Sequence, residues 1–328
     1  MAARNMLITG ATGGLGLALV EAARRGGHDV VATGRSAAVR GRIEASGARF
    51  VAADLTDSGA AAELCAGRES IVHAAALSAA WGREEDFERI NVEATRALLA
   101  ATQAAQCRRF VFVSSPSIFA SFRDRLGLKG SDPPADPPLN AYARSKLAAE
   151  RLVLAANGSG IATTAVRPRA ITGPDDRVLL PALAALVRRR RMPLIGGGGA
   201  LIELTDVRDA ARAILLAEER IEAIAGRAVN ISGGRPMPVR DVAAGLAEAL
   251  GASPKRVNLP IPVARLAAFL LEAKARLTGG EPALSSYALA TIAYSQTFDM
   301  DEPERLIGYR PEHDGLATLL AEAARQRQ

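Results

Sequence analysis

Two residues of this 328-residue chain combine types and spacing that could move a proton: Tyr142 and Lys146, four apart in Tyr142-Ala-Arg-Ser-Lys146. On a helix that spacing puts both side chains on one face. A phenol near pKa 10 is a poor acid or base at neutral pH, and an ammonium beside it favours phenolate. Such a pair can exchange a proton with a carbonyl oxygen.

A second constellation lies near the start of the chain. The apolar run 6–9 passes directly into Gly10-Ala-Thr12-Gly13-Gly14-Leu15-Gly16, and a helical pattern follows. Glycines at a strand-to-helix turn let a pyrophosphate reach backbone N–H groups, and a side chain at Gly10 or Gly13 would hold it away. Thr12 and Leu15 belong to the same turn and are counted with it as cofactor contacts. The spacing is GxxGxxG rather than GxGxxG, which marks one branch of dinucleotide folds.

The end of the second apolar run reads Thr33-Gly34-Arg35-Ser36, without the carboxylate that normally holds an NAD ribose. A guanidinium there can grip a 2′-phosphate bidentately, so NADP(H) is favoured and NAD(H) is the weaker fit. Asp54, followed by Leu55, closes the third run and is placed to accept from the adenine amino group; capping the following turn is its structural alternative.

The elements that must position these groups follow from periodicity. Runs 6–9, 29–33, 49–53, 70–74, 110–114 and 162–167 read as strands, and 14–25, 58–66, 84–106 and 141–156 as helices. Strict alternation with short connections predicts an α/β fold, a doubly wound parallel sheet covered on both faces. Beyond Pro168 glycines and prolines break the pattern, which predicts a smaller C-terminal substrate-binding region, 168–328, part of it returning to the first domain, 1–167. Two C-terminal segments carry expectations of their own. The run Arg188-Arg-Arg-Arg191 is expected to be the solvated end of a helix beginning near Val178, and 260–277 a covering helix with Leu266, Leu270, Leu271 and Leu277 as its apolar side.

Composition narrows the class. Hydrophobic residues are 49% and charged residues 23%, and a chain of this length can bury roughly 75% of its unfolded surface. Only 4% of residues are aromatic, so stacking platforms for nucleic acid are scarce. The net charge of +6 comes mostly from arginine, since the lysines are Lys129, Lys146, Lys255 and Lys274 alone. No nucleic-acid partner is expected. Two distant cysteines, Cys65 and Cys107, and three dispersed histidines predict no structural disulfide and no metal site. Every apolar stretch is interrupted before it could span a bilayer, so a cytoplasmic protein without stable membrane insertion is expected.

Taken together the motifs resemble the extended short-chain dehydrogenase/reductases. The resemblance runs over nearly the whole chain: the glycine turn, Asp54, His73-Ala74-Ala75-Ala76, Asn91-Val-Glu-Ala-Thr95, Phe112-Val-Ser-Ser115, Tyr142 with Lys146, and Arg167-Pro168-Arg-Ala-Ile-Thr-Gly-Pro174. Ala80-Trp81-Gly82, Ser115-Pro116-Ser117-Ile118, 122–126 and Gln296-Thr-Phe-Asp299 look like the 3β-hydroxysteroid dehydrogenase-like branch. The resemblance implies a Rossmann domain and a catalytic triad of Ser115, Tyr142 and Lys146. In it Ser115 hydrogen-bonds the substrate oxygen, Tyr142 protonates it, and Lys146 holds the nicotinamide ribose and lowers the phenol pKa. Ala74, Ala75, Ala76, Asn91 and the backbone at Pro168 would also approach the cofactor, with a purely structural role equally open for Asn91.

The family's sugar dehydratases place an acid and a base after the active hydroxyl residue, where this chain has Pro116 and Ser117, so water elimination is disfavoured. Trp81 and Phe119, with Pro116 and Ser117, are expected to shape an apolar substrate slot. The implied activity is an NAD(P)H-dependent ketone reductase or secondary-alcohol dehydrogenase on an apolar small molecule, such as a 3-keto acid or 3-ketosteroid. A sugar-nucleotide epimerase and a non-catalytic NADP(H) sensor are the alternatives. The family also suggests a homodimer formed through 84–106 and 141–156.

Overall fold

The computed structural model describes residues 3–176, 178–188 and 190–326. Its central sheet contains β1 (Asn5–Thr9), β2 (Asp29–Gly34), β3 (Arg49–Ala52), β4 (Ser70–His73), β5 (Arg109–Val113) and the strands Ala162–Pro168 and Ala228–Ile231. From one edge to the other the order is Ala228–Ile231, Ala162–Pro168, β5, β4, β1, β2, β3. All neighbours are parallel, with Leu7 opposite Val31 on one side and Ile71 on the other. The fold is therefore the doubly wound Rossmann type that the alternation predicts.

Side-chain alternation explains why both faces are covered. Met6, Ile8, Val30 and Val72 face a layer containing helix α1 (Gly14–Arg25) and the helix Val207–Glu219, which pack on each other. Leu7, Ile71, Phe110 and Phe112 face the opposite layer, among Leu98, Ala149 and Val153. The chain steps outward from β1 to β3, and β4 returns on the other side of β1. That reversal opens a crevice beyond the carboxyl ends of β1 and β4, the place where such sheets bind ligands.

Helix Ala141–Ala155 ends within one residue of its predicted boundary, and Asn140 caps it by accepting from the Ala143 N–H at 2.9 Å. The predicted single helix 84–106 is instead Glu84–Phe87, a π-helical turn Glu88–Glu93 and Ala94–Ala104. The wide turn carries Asn91 into the protein interior.

After Pro168 the chain divides its work. Helix Val207–Glu219 and strand Ala228–Ile231 belong to the sheet and its covering layer. A separate apolar cluster of Leu180, Val187, Met192, Leu204, Val242, Leu246 and Leu319 forms the core of the smaller region. Two details correct the sequence reading. The basic run is not one helix end: helix Leu179–Val187 closes at Arg188, Arg191 opens a strand paired with Lys255–Leu259, and Arg189 lies outside the described residues. Helix Ile261–Thr278 packs through Ala264, Ala268 and Ala275, while Leu266, Leu270 and Leu277 are exposed, because alanines permit close approach and the leucines fall on the outer face. Among the described residues no helix is long and apolar enough to cross a membrane.

Candidate active site

The crevice opens into a cavity of about 880 Å³, within the usual range for small-molecule sites. The glycine turn forms one end, and its glycines have distinct physical roles. Gly10 has φ +69°, and a Cβ there would lie 2.6 Å from the Ala75 nitrogen. A Cβ on Gly16 would lie 2.0 Å from the Gly10 oxygen. Protein packing by itself therefore requires glycine at these two positions, and both also line the cavity. Gly13 differs: a Cβ there would meet nothing nearer than 3.7 Å, so the space in front of it is open to the cavity. Helix α1 starts at Gly14 without a side-chain cap and without acidic residues in its first turn. Its free N–H groups and positive dipole end suit a pyrophosphate, so the residues present fit a dinucleotide.

Thr12, Gly14, Leu15, Arg35, Asp54, Leu55, Ala74, Ala75, Ala76 and Pro168 also line this cavity. Arg35 is exposed and forms no ion pair among the described residues. Asp54 serves first as a turn cap, its Oδ1 accepting from the Thr56 N–H at 3.0 Å and the Thr56 hydroxyl at 2.8 Å. The Thr56 N–H holds its carboxyl below the usual range against the effect of burial, and the Thr56 hydroxyl, Arg35 and Arg89 assist. The capping role weighed from sequence is thus observed at Asp54, which also lines the cavity.

Tyr142, Lys146 and Ser115 also line this cavity, with the Ser115 hydroxyl facing the Tyr142 phenol. Burial pushes the Tyr142 phenol up, while the hydroxyls of Ser115 and Ser78 face it and favour its ionised form. Ser115, at the end of β5, is thus the serine presented to Tyr142; the Ser114 hydroxyl is buried without a protein partner among the described residues. Lys146 is almost fully enclosed. Its Nζ donates to the Val113 carbonyl at 2.6 Å and lies 4.0 Å from the centre of the Phe112 ring. Burial pulls the Lys146 ammonium down to about 7, with Glu150 opposing. The Lys146 ammonium is committed to Val113 and Phe112, and burial is the dominant influence on Tyr142.

Asn91 does not line the cavity. Its side chain accepts from Leu77 N–H at 2.7 Å and donates to the Leu77 carbonyl at 3.1 Å and to Ser145 Oγ at 2.9 Å. It ties the loop after β4 to the helix bearing Tyr142 and Lys146, which makes it a positioning residue.

The expected slot residues divide. Pro116 and Ser117 line the cavity. Phe119 is fully buried beside Ile118, Leu128, Leu147 and Phe298, with the guanidinium carbons of Arg125 and Arg167 at 5.2 and 5.1 Å from its ring centre. Trp81 lies under Arg276, 6.0 Å away, outside the cavity wall. Both are held by contacts with residues distant in sequence, which periodicity does not reveal. The apolar wall comes instead from Leu179, Leu183, Leu186, Leu284 and Ile292 on two C-terminal helices, Leu179–Val187 and Ser286–Ala293, and the segment preceding the second. Arg169, which lies inside the Arg167–Pro174 motif without a role assigned to it there, and Tyr287, which no motif includes, also line the cavity. A group invisible in the linear spacing, Asp209, Glu312 and His313, places its ligand-type atoms within 4.8 Å of one another away from this cavity.

Comparison with known proteins gives consistent findings. The sequence profile described as "NAD dependent epimerase/dehydratase family" matches residues 6–232. The 2-alkyl-3-oxoalkanoate reductase of Stenotrophomonas maltophilia (strain K279a) is 33% identical over 329 residues, covering 97% of this chain and 99% of that relative. The 4-hydroxy-2-methyl-3-oxo-4-farnesyl-3,4-dihydroquinoline-1-oxide ketoreductase of Stigmatella aurantiaca is 33% identical over 304 residues, covering 92% and 90%. Among solved structures, MoeE5 in complex with UDP-glucuronic acid and NAD aligns with a TM-score of 0.73 at 25% identity, over 99% of this chain and 100% of that one.

Proposed function

The chain belongs to the NAD-dependent epimerase/dehydratase family, a setting of NAD(P)-dependent oxidoreductases, and from that premise we propose that it is an NADP(H)-preferring ketone reductase or secondary-alcohol dehydrogenase acting on a largely apolar substrate. The observation that carries this reading is the meeting of Ser115, Ser78 and Tyr142 in a cavity walled on its substrate side by leucines and isoleucine. The two ketoreductase relatives support it.

A bound nicotinamide would supply hydride to the carbonyl carbon, or accept it in the oxidative direction. The glycine turn and the open face of Gly13 would hold the pyrophosphate, Arg35 a 2′-phosphate, and the second oxygen of Asp54 the adenine amino group. Ser115 orients the substrate oxygen by hydrogen bonding, and Tyr142 delivers the proton to it. The Tyr142 phenol, held up by burial, is in its protonated, donor form at neutral pH. Lys146, anchored by the Val113 carbonyl, would hold the nicotinamide ribose. The leucine-lined wall excludes water and accepts an acyl chain or polycyclic skeleton. A sugar diphosphate would find few polar partners along that wall.

The test is consumption of NADPH, with NADH in parallel, against 3-keto acids of rising chain length, 3-ketosteroids and aryl ketones, with Tyr142→Phe as the blank. Turnover that prefers NADPH and vanishes in the blank is expected. Tight NADPH binding without turnover of any ketone would reject the reductase reading.

A further inference from the structure

Among the described residues, Arg169 is the buried cation whose guanidinium its own fold leaves least explained. It is 7% exposed and lines the cavity, yet its guanidinium forms no salt bridge within 4.0 Å and no side-chain hydrogen bond among the described residues. Its Nε is fully buried without a partner. The contrast with Arg167, two residues earlier, is direct. Arg167 donates through Nε and Nη2 to both oxygens of Glu150 at 2.8 and 2.5 Å, and through Nη1 to the Gly130 carbonyl at 2.9 Å. Arg167 is a structural arginine with its donors engaged. Arg169 has no such set.

The nearest carboxylate does not fill that role. Glu203 is buried and already bonded, accepting from the Ser232 hydroxyl and from the Phe298 N–H at 3.2 Å. It influences Arg169 only at longer range. A buried, unpaired cation is costly and is tolerated where an anion is to be bound.

The position of Arg169 says what kind of anion. Arg169 directly follows strand Ala162–Pro168, which pairs with β5, the strand leading to Ser115, whereas the glycine turn follows β1, two strands further on. Tyr287, also on the cavity wall, feels both the Tyr142 phenol and the Arg169 guanidinium. One aromatic side chain thus lies within electrostatic reach of both the group that meets the substrate carbonyl and the group that awaits an anion. Resting on the ketone-reductase reading, we propose that Arg169 binds a carboxylate carried by the substrate close to the reacting carbonyl, which makes the substrate class 3-oxo carboxylates with an apolar chain. The planar guanidinium fork matches a carboxylate bidentately, and the chain runs along Leu179, Leu183 and Ile292. A neutral ketosteroid would leave the guanidinium unpaired.

The test compares 3-oxodecanoate with its methyl ester and with 2-nonanone, using wild type, Arg169→Gln and Arg169→Lys. Wild type is expected to prefer the acid, and Arg169→Gln to erase that preference by a factor on the order of 10 to 100, mainly through KM, with Arg169→Lys intermediate. Calorimetric binding of 3-oxodecanoate to the NADP+-loaded protein, where no hydride is available, should weaken by a similar factor. Acid and ester falling together, or NADPH affinity falling with the acid, would overturn the assignment by placing the guanidinium on the fold or the cofactor. A thermal midpoint several degrees lower in Arg169→Gln would do the same, since removing an unpaired buried cation should not destabilise. If wild type reduces none of the ketones, the reductase reading fails, and the calorimetric arm alone decides: Arg169-dependent binding supports the carboxylate site, and absent binding ends it.

Discussion

The Lys146 ammonium donates to the Val113 carbonyl at 2.6 Å, so the last residue of β5, two positions before Ser115, is tied to the sixth residue of helix Ala141–Ala155. In this arrangement Tyr142→Phe removes only the hydroxyl, leaving helix and cavity in place. Turnover is expected to fall by at least about 100-fold, as for loss of a general acid, with NADPH affinity nearly retained. Steady-state kinetics with fluorescence titration of NADPH checks both; retained turnover would remove Tyr142 from the proton-transfer role.

Arg35 is exposed at the cavity rim with no ion pair among the described residues, so its replacement costs the fold little. Arg35→Ala should weaken NADPH binding by about 10-fold or more, the scale of a lost charge-assisted hydrogen bond, and NADH binding much less. Equal losses for the two cofactors would reject a 2′-phosphate contact.

The glycine turn separates a folding role from a binding role. Gly13 sits at φ −93°, open to any residue, and a Cβ there faces the empty cavity. Gly13→Ala is expected to keep the thermal midpoint within a few degrees while reducing dinucleotide affinity. Gly16→Ala drives a Cβ to 2.0 Å from the Gly10 oxygen and should cost about 1–3 kcal/mol of stability by urea denaturation. A reversed pattern would show that the open face of Gly13 is not the pyrophosphate seat.

His73 supplies a pH signature. Its Nδ1 meets the Thr9 hydroxyl at 2.7 Å and its Nε2 the Thr95 hydroxyl at 2.9 Å. Thr95 donates to the Asn91 carbonyl at 2.6 Å, so it accepts from Nε2–H, and Nδ1 is the unprotonated acceptor. Burial, with Lys146 assisting, pulls His73 down to about 3. The unfolded chain takes up this proton near pH 6.5, so stability is lost as pH falls from there towards 3, by about 1.4 kcal/mol per pH unit at most. The stability difference between wild type and His73→Phe should shrink across that window in urea titrations. Parallel pH dependences would show that His73 protonates in the native state.

The Arg167–Glu150 pair is buried on both sides, with side-chain exposures of 6% and 3%. Removing one partner leaves a bare charge, so Glu150→Gln is expected to cost about 3–5 kcal/mol, and the double replacement Glu150→Leu with Arg167→Met less than that single change. Urea denaturation of both variants checks the order; a milder Glu150→Gln would mean that water reaches the pair.

Short-range pattern determined much of this protein. The five strands β1–β5 and helix α1 are written in local alternation and in glycine placement, and the dinucleotide turn and the Tyr142–Lys146 spacing can be read because each lies within a few residues of chain. The same local grammar could not say that Phe119 would be enclosed between two guanidinium groups, or that Trp81 would pack under Arg276 rather than in the cavity wall. Those outcomes depend on partners far away in sequence. The substrate wall shows this most clearly: Leu179 and Leu183 come from one helix, Tyr287 and Ile292 from another about a hundred residues later, and only their packing beside Ser115 gives them a common surface. Arg169 was one arginine among many until tertiary structure showed which of them had found partners. Periodicity records whether a side chain faces inward or outward; it carries no record of what waits on the other side, because burial, pairing and desolvation are set by contacts between distant segments.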